Sequence, residues 1–198
     1  IQRSHRGLDL VGIFAAGDQY SGFADERGQF NWHEVSSHHL DWSVHGEGGR
    51  AAKASYAGFD FEDQVLAERA EDMRESLSAL AAGTKTLEPG EYPVFLSPSA
   101  MDELFSLLSW GGFSARAQHT RTTPLLKLVE GHTQLSDELA IGENTRDGLS
   151  PDFDGLGFRR PAVVPLVAAG RHAGALVSPR SAAEFDLEAN GANAYESP

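Results

Sequence analysis

The chain has 198 residues, a formal charge of −13, no cysteine and a hydrophobic fraction of 40%. That fraction supplies one large buried core or two small ones and excludes a disordered chain. The acidic balance, uninterrupted by any basic cluster, repels phosphate backbones and argues against nucleic acid as a direct partner.

The lack of cysteine removes disulfides, thiolate zinc sites and cysteine nucleophiles, and fits a reducing, cytoplasmic compartment. No apolar run reaches the roughly 20 residues of a membrane span, and no signal peptide is recognisable, so no membrane association is expected. Ile rather than Met stands first, which reads as a piece of a longer protein.

In chain order, residues 8–58 read as short strands separated by turns. LDLVGIFAA (8–16), QYSGFAD (19–25) and QFNWHEV (29–35) are punctuated by Gly17-Asp18 and Glu26-Arg27-Gly28, residues that tolerate tight turns. Residues 39–45 alternate, with Leu40, Trp42 and Val44 on one face and Asp41, Ser43 and His45 on the other. GEGG (46–49) is the next turn and residues 50–57 the next strand. The pattern predicts an antiparallel meander with one buried face.

A helical texture begins at residue 60. Glu62 and Asp63 crowd its first turn, and Leu66, Ala70, Met73, Leu77 and Leu80 share one face until Gly83 stops the run. Glu88-Pro89-Gly90 turns the chain into a short strand over 93–96. A second helix follows: Ser97 is a natural N-cap, Pro98 fits the first helical position, and Asp102 and Glu103 sit toward the positive end of the dipole. Its apolar stripe of Met101, Leu104, Phe105 and Leu108 is expected in a core, with Gly111-Gly112 as terminator.

Beyond it, Thr123-Pro124 opens a short helix through Val129, residues 135–141 read as extended, and 144–160 form a long polar loop. Residues 161–168 and 172–178 then pair as a hairpin about Ala169-Gly170-Arg171, and the tail from Glu184 reads as irregular. The fold class is α+β: an antiparallel β meander, then helix-strand-helix, then further antiparallel strands. Three regions are expected: 1–58, 59–130 and 131–198.

The most conspicuous motif is His33-Glu34-Val35-Ser36-Ser37-His38, which satisfies HExxxH, a spacing that places two zinc ligands and a general base on one side of a helix. Here it lies among alternating strand residues, where positions five apart face opposite ways. A turn at Ser36-Ser37 would fold His33 back toward His38, with His39 and His45 close by, so a metal cluster of His33, Glu34, His38, His39 and His45 stays open as a low-ranking alternative. No G-x-S-x-G elbow and no G-x-G-x-x-G after a strand occur. Asp152 and Asp154, like Asp60 and Glu62, suit turns and caps better than acid/base pairs. Arg159-Arg160 offers an anion clamp, although a place at a hairpin entrance is the simpler use.

Four segments in order, GFADERGQF (22–30), LDWSVHGEGGRAAKASYAG (40–58), FLSPSAMDELFSLLSWGGFSARA (95–117) and PLVAAGRHAGALVSPRSAAEF (165–185), resemble successive blocks of the TldD/PmbA family. Its members were named modulators of DNA gyrase and are regarded as zinc-dependent peptidases and their inactive relatives. The resemblance implies an interior fragment of a longer protein. It also implies that the helix after Leu96-Ser97-Pro98 is where a TldD-like relative carries HExxxH. Transferred onto this helix, the first His falls at Ser106, the Glu at Leu107 and the second His at Gly111, none of which can ligate zinc or hold a proton.

This is the PmbA-like pattern. It implies no cofactor of the chain's own, zinc only in a TldD-like partner, a heterodimer with that partner or else a homodimer, and unfolded peptide as the substrate of the complex. An active peptidase built on the histidines between 33 and 45 is the alternative. A third reading, a small-molecule binding module, requires a closed apolar pocket near Trp32, Trp42 or Trp110.

Overall fold

The computed structural model describes residues 9–197. Two long strands, β1 (Asp9–Ala24) and β2 (Phe30–His45), open the described chain, and β3 (Ala51–Gly58) completes a sheet of order β1-β2-β3. Helices α1 (Asp63–Ala81), α2 (Pro98–Leu108), α3 (Ala115–His119) and α4 (Leu126–Val129) follow. Strands β4 (Ile141–Asn144), β5 (Val163–Ala168) and β6 (Arg171–His172) form a second antiparallel sheet in that order, and α5 (Pro179–Phe185) comes last. The α+β class with antiparallel sheets is therefore as expected. None of the described helices is long and apolar enough to cross a membrane.

The chain divides into two compact units, the first of residues up to Tyr20 with Glu34–Tyr92, the second of Ser21–His33 with Pro93 onward. In the first, α1 packs on β3, and its Met73 joins Trp42 and Val44 of β2 in one core. The antiparallel register sets Leu40 opposite Tyr56, Trp42 opposite Ala54 and Val44 opposite Ala52, so large side chains meet small ones across the ladder. Trp42, Val44, Ala52, Tyr56 and Met73 form the core, flanked by Leu40, Leu66 and Leu77. The alternation read over 39–45 is thus realised. The α1 stripe is buried at Ala70 and Met73 but emerges at Leu80, which is 42% exposed. Instead of a side-chain cap at Glu62, the Tyr56 hydroxyl accepts the Glu62 N–H at 2.8 Å.

In the second unit Phe113, Leu128, Val164, Leu166, Val167, Leu176 and Ala192 make the core. The hairpin tip belongs here. Asp25 Oδ1 accepts the N–H groups of Arg27 and Gln29, and Gly28 takes φ +84°, so the turn read at Glu26-Arg27-Gly28 forms as an Asx-type turn.

Several expectations are corrected. Gly17-Asp18 makes no turn but lies within β1, because Gly17 keeps out of the left-handed region and the hydrogen bond from Ser36 Oγ to the Asp18 carboxylate ties β1 to β2 there. Residues 93–96 pair with no strand, and 135–140 turn instead of extending. The hairpin turn at Ala169 and Gly170, both with positive φ, is present, yet its second strand is only Arg171–His172. Between the hairpin and the tail lies an unread helix, α5, which reaches the tail's first two residues and is capped by Ser178, whose hydroxyl accepts the Ser181 N–H at 3.2 Å. Leu8 and Pro198, the outer ends of the first strand and the tail as read from sequence, lie outside the described residues.

Candidate functional site

Helix α2 starts as its sequence dictates. Ser97 Oγ accepts the Ala100 N–H at 3.3 Å and Pro98 occupies the first helical turn. It does not bury its stripe: none of its residues is fully buried, Leu104 is 45% exposed and Phe105 38%. The core expectation for this face is met only at its end, where Leu108 is partly buried against the second core, and is otherwise corrected. Amphipathic spacing defines a face, but only a neighbouring element can cover it.

Ser106 and Leu107 are exposed on the last helical turns, Leu107 at 68%. Gly111 lies three residues past the helix end at φ +87°, a conformation that a residue with a Cβ adopts only with strain. A Cβ at Gly112 would stand 2.5 Å from the Leu108 carbonyl oxygen, so this turn depends on its glycine. Behind it the chain is tied into the second unit: Thr123 Oγ1 donates to Gly112 O at 2.8 Å, and Leu176 N donates to Phe113 O at 2.8 Å.

The histidines read from the sequence are dispersed. Within the second unit, His33 Nε2 lies 3.1 Å from the Leu149 carbonyl oxygen. In the first unit, His38 is buried edge-on against Tyr56 and Phe61, and among the described residues its Nε2 has no hydrogen-bond partner. His39 pairs with Asp41 at 3.1 Å and His45 with Ser43 Oγ at 3.2 Å. The strand runs straight through Ser36-Ser37, so no turn folds His33 toward His38. Among the described residues no three His, Asp or Glu side chains gather at metal-binding distance. Glu34 is an exposed strand residue.

Of the three tryptophans, Trp42 is buried in the first core, while Trp32 is 56% exposed and Trp110 87%. Trp42 does border an open hollow with Val11, Ile13 and Lys53, but that is a groove on the sheet, not a closed pocket.

One charged group escaped the sequence reading. Glu196 is 2% exposed, and its carboxylate accepts the Ser114 hydroxyl at 2.6 Å, the Arg116 N–H at 2.9 Å, and both the N–H and hydroxyl of Ser178 at 2.9 Å. It thereby ties the start of α3 to the start of α5. Burial by itself pushes the carboxyl up; the hydrogen bonds from Ser114, Ser181, Ser178 and Arg116 outweigh it and hold it at about 2. No local motif announces this, because its partners are 15 to 82 residues away in sequence.

Residues 89–198 match the sequence profile of the PmbA/TldA metallopeptidase C-terminal domain. The chain belongs to the PmbA/TldA metallopeptidase family. Its fold is similar to that of a candidate modulator of a DNA gyrase from Thermotoga maritima, with a TM-score of 0.72 and 17% identity over 94% of this chain and 44% of that one. A candidate modulator of DNA gyrase from Bacteroides thetaiotaomicron gives a TM-score of 0.70 and 14% identity over 93% of this chain and 43% of that one. TldE from Thermococcus kodakarensis gives 0.65 and 15%, over 91% and 41%. No curated protein matches by sequence. This PmbA/TldA chain thus spans less than half the length of each of these structures.

The family is one of metallopeptidases, so the donor set of α2 bears directly on whether zinc fits. A serine hydroxyl, an isobutyl group and a glycine backbone do not make a zinc site. The positions that the resemblance assigns to the ligands do not fit the metal.

Proposed function

We propose that this chain is part of a PmbA-like, catalytically silent subunit of a TldD/PmbA-type metallopeptidase complex. The observation that carries the reading is α2 itself, with Ser106 and Leu107 exposed on its last turns and Gly111 beyond its end in a left-handed conformation. A peptidase helix needs two imidazoles and a carboxylate converging on one metal, and this helix has neither the side chains nor, at its second ligand position, the helical backbone. A TldD-like subunit would supply the zinc, in a heterodimer with this one. A homodimer is the other assembly the reading allows. The complex would act on unfolded peptides in the cytoplasm. Support for the peptide-binding role comes from the edge strands β1, β3 and β4, whose outer backbone groups suit an added extended segment.

Two measurements test the reading. Metal analysis of the purified chain should find no stoichiometric zinc. One zinc per chain, lost when His33, His38, His39 and His45 are changed to Ala, would establish the active-peptidase alternative instead. Co-purification of the intact protein with a TldD-like subunit should yield a peptidase whose zinc resides wholly in the partner. An intact protein that degrades unfolded peptide alone contradicts the proposal.

A further inference from the structure

The polar loop 145–162 is self-supporting, and its organisation singles out one of two adjacent arginines. Asp154 Oδ1 accepts the N–H groups of Leu156 and Phe158, both at 2.9 Å, which closes the loop on itself. Arg159 is neutralised by Asp152 at 2.7 Å. Arg160 differs: its backbone N–H is held by Asp152 O at 2.7 Å, yet among the described residues its side chain has no ion pair, and its buried Nε has no hydrogen-bond partner. The stem of Arg160 lies under Gly191, where a Cβ would fall 2.5 Å from its Cγ and where φ is +78°. A glycine in the tail therefore lets the chain close over the arginine and fix its direction.

Arg160 lines a cavity of about 220 Å³ together with Glu143, Thr145, Ser150, Asn190 and Ser197. Asn190 is spent on scaffolding, accepting the Val177 N–H and donating to Ala175 O, and the Thr145 hydroxyl is held by Pro161 O. The groups left uncommitted are the Arg160 guanidinium, the Glu143 carboxylate and the Ser150 hydroxyl; among the described residues no ion pair joins Arg160 to Glu143. Nε itself is sealed from the cavity, so a planar carboxylate there meets the guanidinium through its Nη groups, which among the described residues hold no acceptor, in a charge-assisted pair. A carboxylate of the chain in the same lining disfavours a simple polyanion and favours a ligand that also carries a cation. The volume lies below the roughly 300–1,000 Å³ of drug-sized pockets, so the ligand is small.

We infer that this cavity binds a small zwitterion of amino-acid to dipeptide size, its carboxylate on Arg160 and its ammonium on Glu143. The site is separate from α2 and does not depend on whether the chain is catalytically silent.

Titration calorimetry on the intact protein tests it with alanylalanine, its C-terminal amide, its N-acetyl derivative and inorganic phosphate. Alanylalanine should bind one per chain, and the amide and the N-acetyl derivative should each bind at least about tenfold more weakly. Arg160→Gln and Glu143→Gln should each weaken alanylalanine by at least about tenfold while leaving the melting temperature measurable. If Arg160→Gln does not fold, the ligand series on the unmodified chain decides. No heat with alanylalanine up to about 10 mM, equal binding of the N-acetyl derivative or of phosphate, or unchanged affinity in folded Arg160→Gln would each overturn the inference.

Discussion

At the scale of single residues, Glu196 illustrates how a carboxylate can be both buried and ionised. Four donors from two separate chain segments converge on it, and their combined pull outweighs the loss of solvent. Its pKa is lowered from 4.5 to about 2 on folding. A group whose folded pKa is depressed contributes its stabilisation above the unfolded value and loses it as pH falls through the folded one. The contribution is therefore complete above pH 4.5 and disappears toward pH 2, with a size on the order of 3 kcal/mol. Glu196→Gln should lower stability by about that amount at pH 7, and thermal melts should show the gap to the unmodified chain closing as pH is taken from 4.5 toward 2.

Gly112 makes a second residue-scale case. Gly112→Ala sets a Cβ against the Leu108 carbonyl oxygen and should cost about 1–3 kcal/mol in denaturant unfolding. Its neighbour Gly111 bears on function. Replacing Ser106 with His, Leu107 with Glu and Gly111 with His restores the motif letters but leaves the last ligand at φ +87°, off the helix. Metal analysis of that triple variant should find no tightly held zinc.

At the scale of elements, the two long helices show what periodicity does and does not convey. Both stripes were visible in the sequence, at Leu66, Ala70, Met73 and Leu77 for α1 and at Met101, Leu104, Phe105 and Leu108 for α2. The α1 stripe lies along β3 and shares one core with Trp42 and Val44 of β2, whereas α2 reaches its core only at Leu108. Met73 is 2% exposed, whereas in the α2 stripe Leu104 and Phe105 are 45% and 38% exposed, and Leu107 and Trp110 outside it 68% and 87%. Met73→Ala should therefore cost about 2–5 kcal/mol, while Leu107→Ser with Trp110→Ser should change stability by less than about 0.5 kcal/mol each. Urea unfolding of the two variants side by side checks the contrast.

The β elements teach a related lesson. Asp25 and Gly28 made the hairpin turn legible because turn chemistry is local. Gly17-Asp18 carries the same letters inside a strand, since β1 is held by its partner across the ladder and not by the preferences of its own residues. Helix α5 went unread although Ser178-Pro179 is a proper start signal, because seven residues give too short a run for periodicity to register.

At the scale of the whole molecule, residues 82–97 carry no regular structure and are exposed. Lys85 lies in this stretch, so limited trypsin digestion should cut there early. The two pieces should nonetheless elute together from a sizing column, because residues 21–33 of the first piece pack in the second unit, where Asn31 Nδ2 donates to Gly157 O at 3.4 Å and Phe23 fills the space above Gly157. Separation of the pieces without denaturant would show that the hairpin tip does not hold.

What the sequence alone determined was whatever depends on neighbours along the chain: the α+β class, the caps and turns at Ser97, Pro98 and Gly28, the alternating face of β2, and the resemblance of ordered blocks to a metallopeptidase family. It also determined the chemistry that Ser106, Leu107 and Gly111 cannot perform, since ligand capacity belongs to residue type. Tertiary structure decided which stripe is covered, that the histidines between 33 and 45 stay apart on a straight strand, and that Glu196, Ser114 and Ser178 meet. It also decided that Arg160, unlike Arg159, has no ion pair among the described residues. These are matters of long-range proximity, and burial and charge pairing act through space between segments that carry no mark of each other in the sequence.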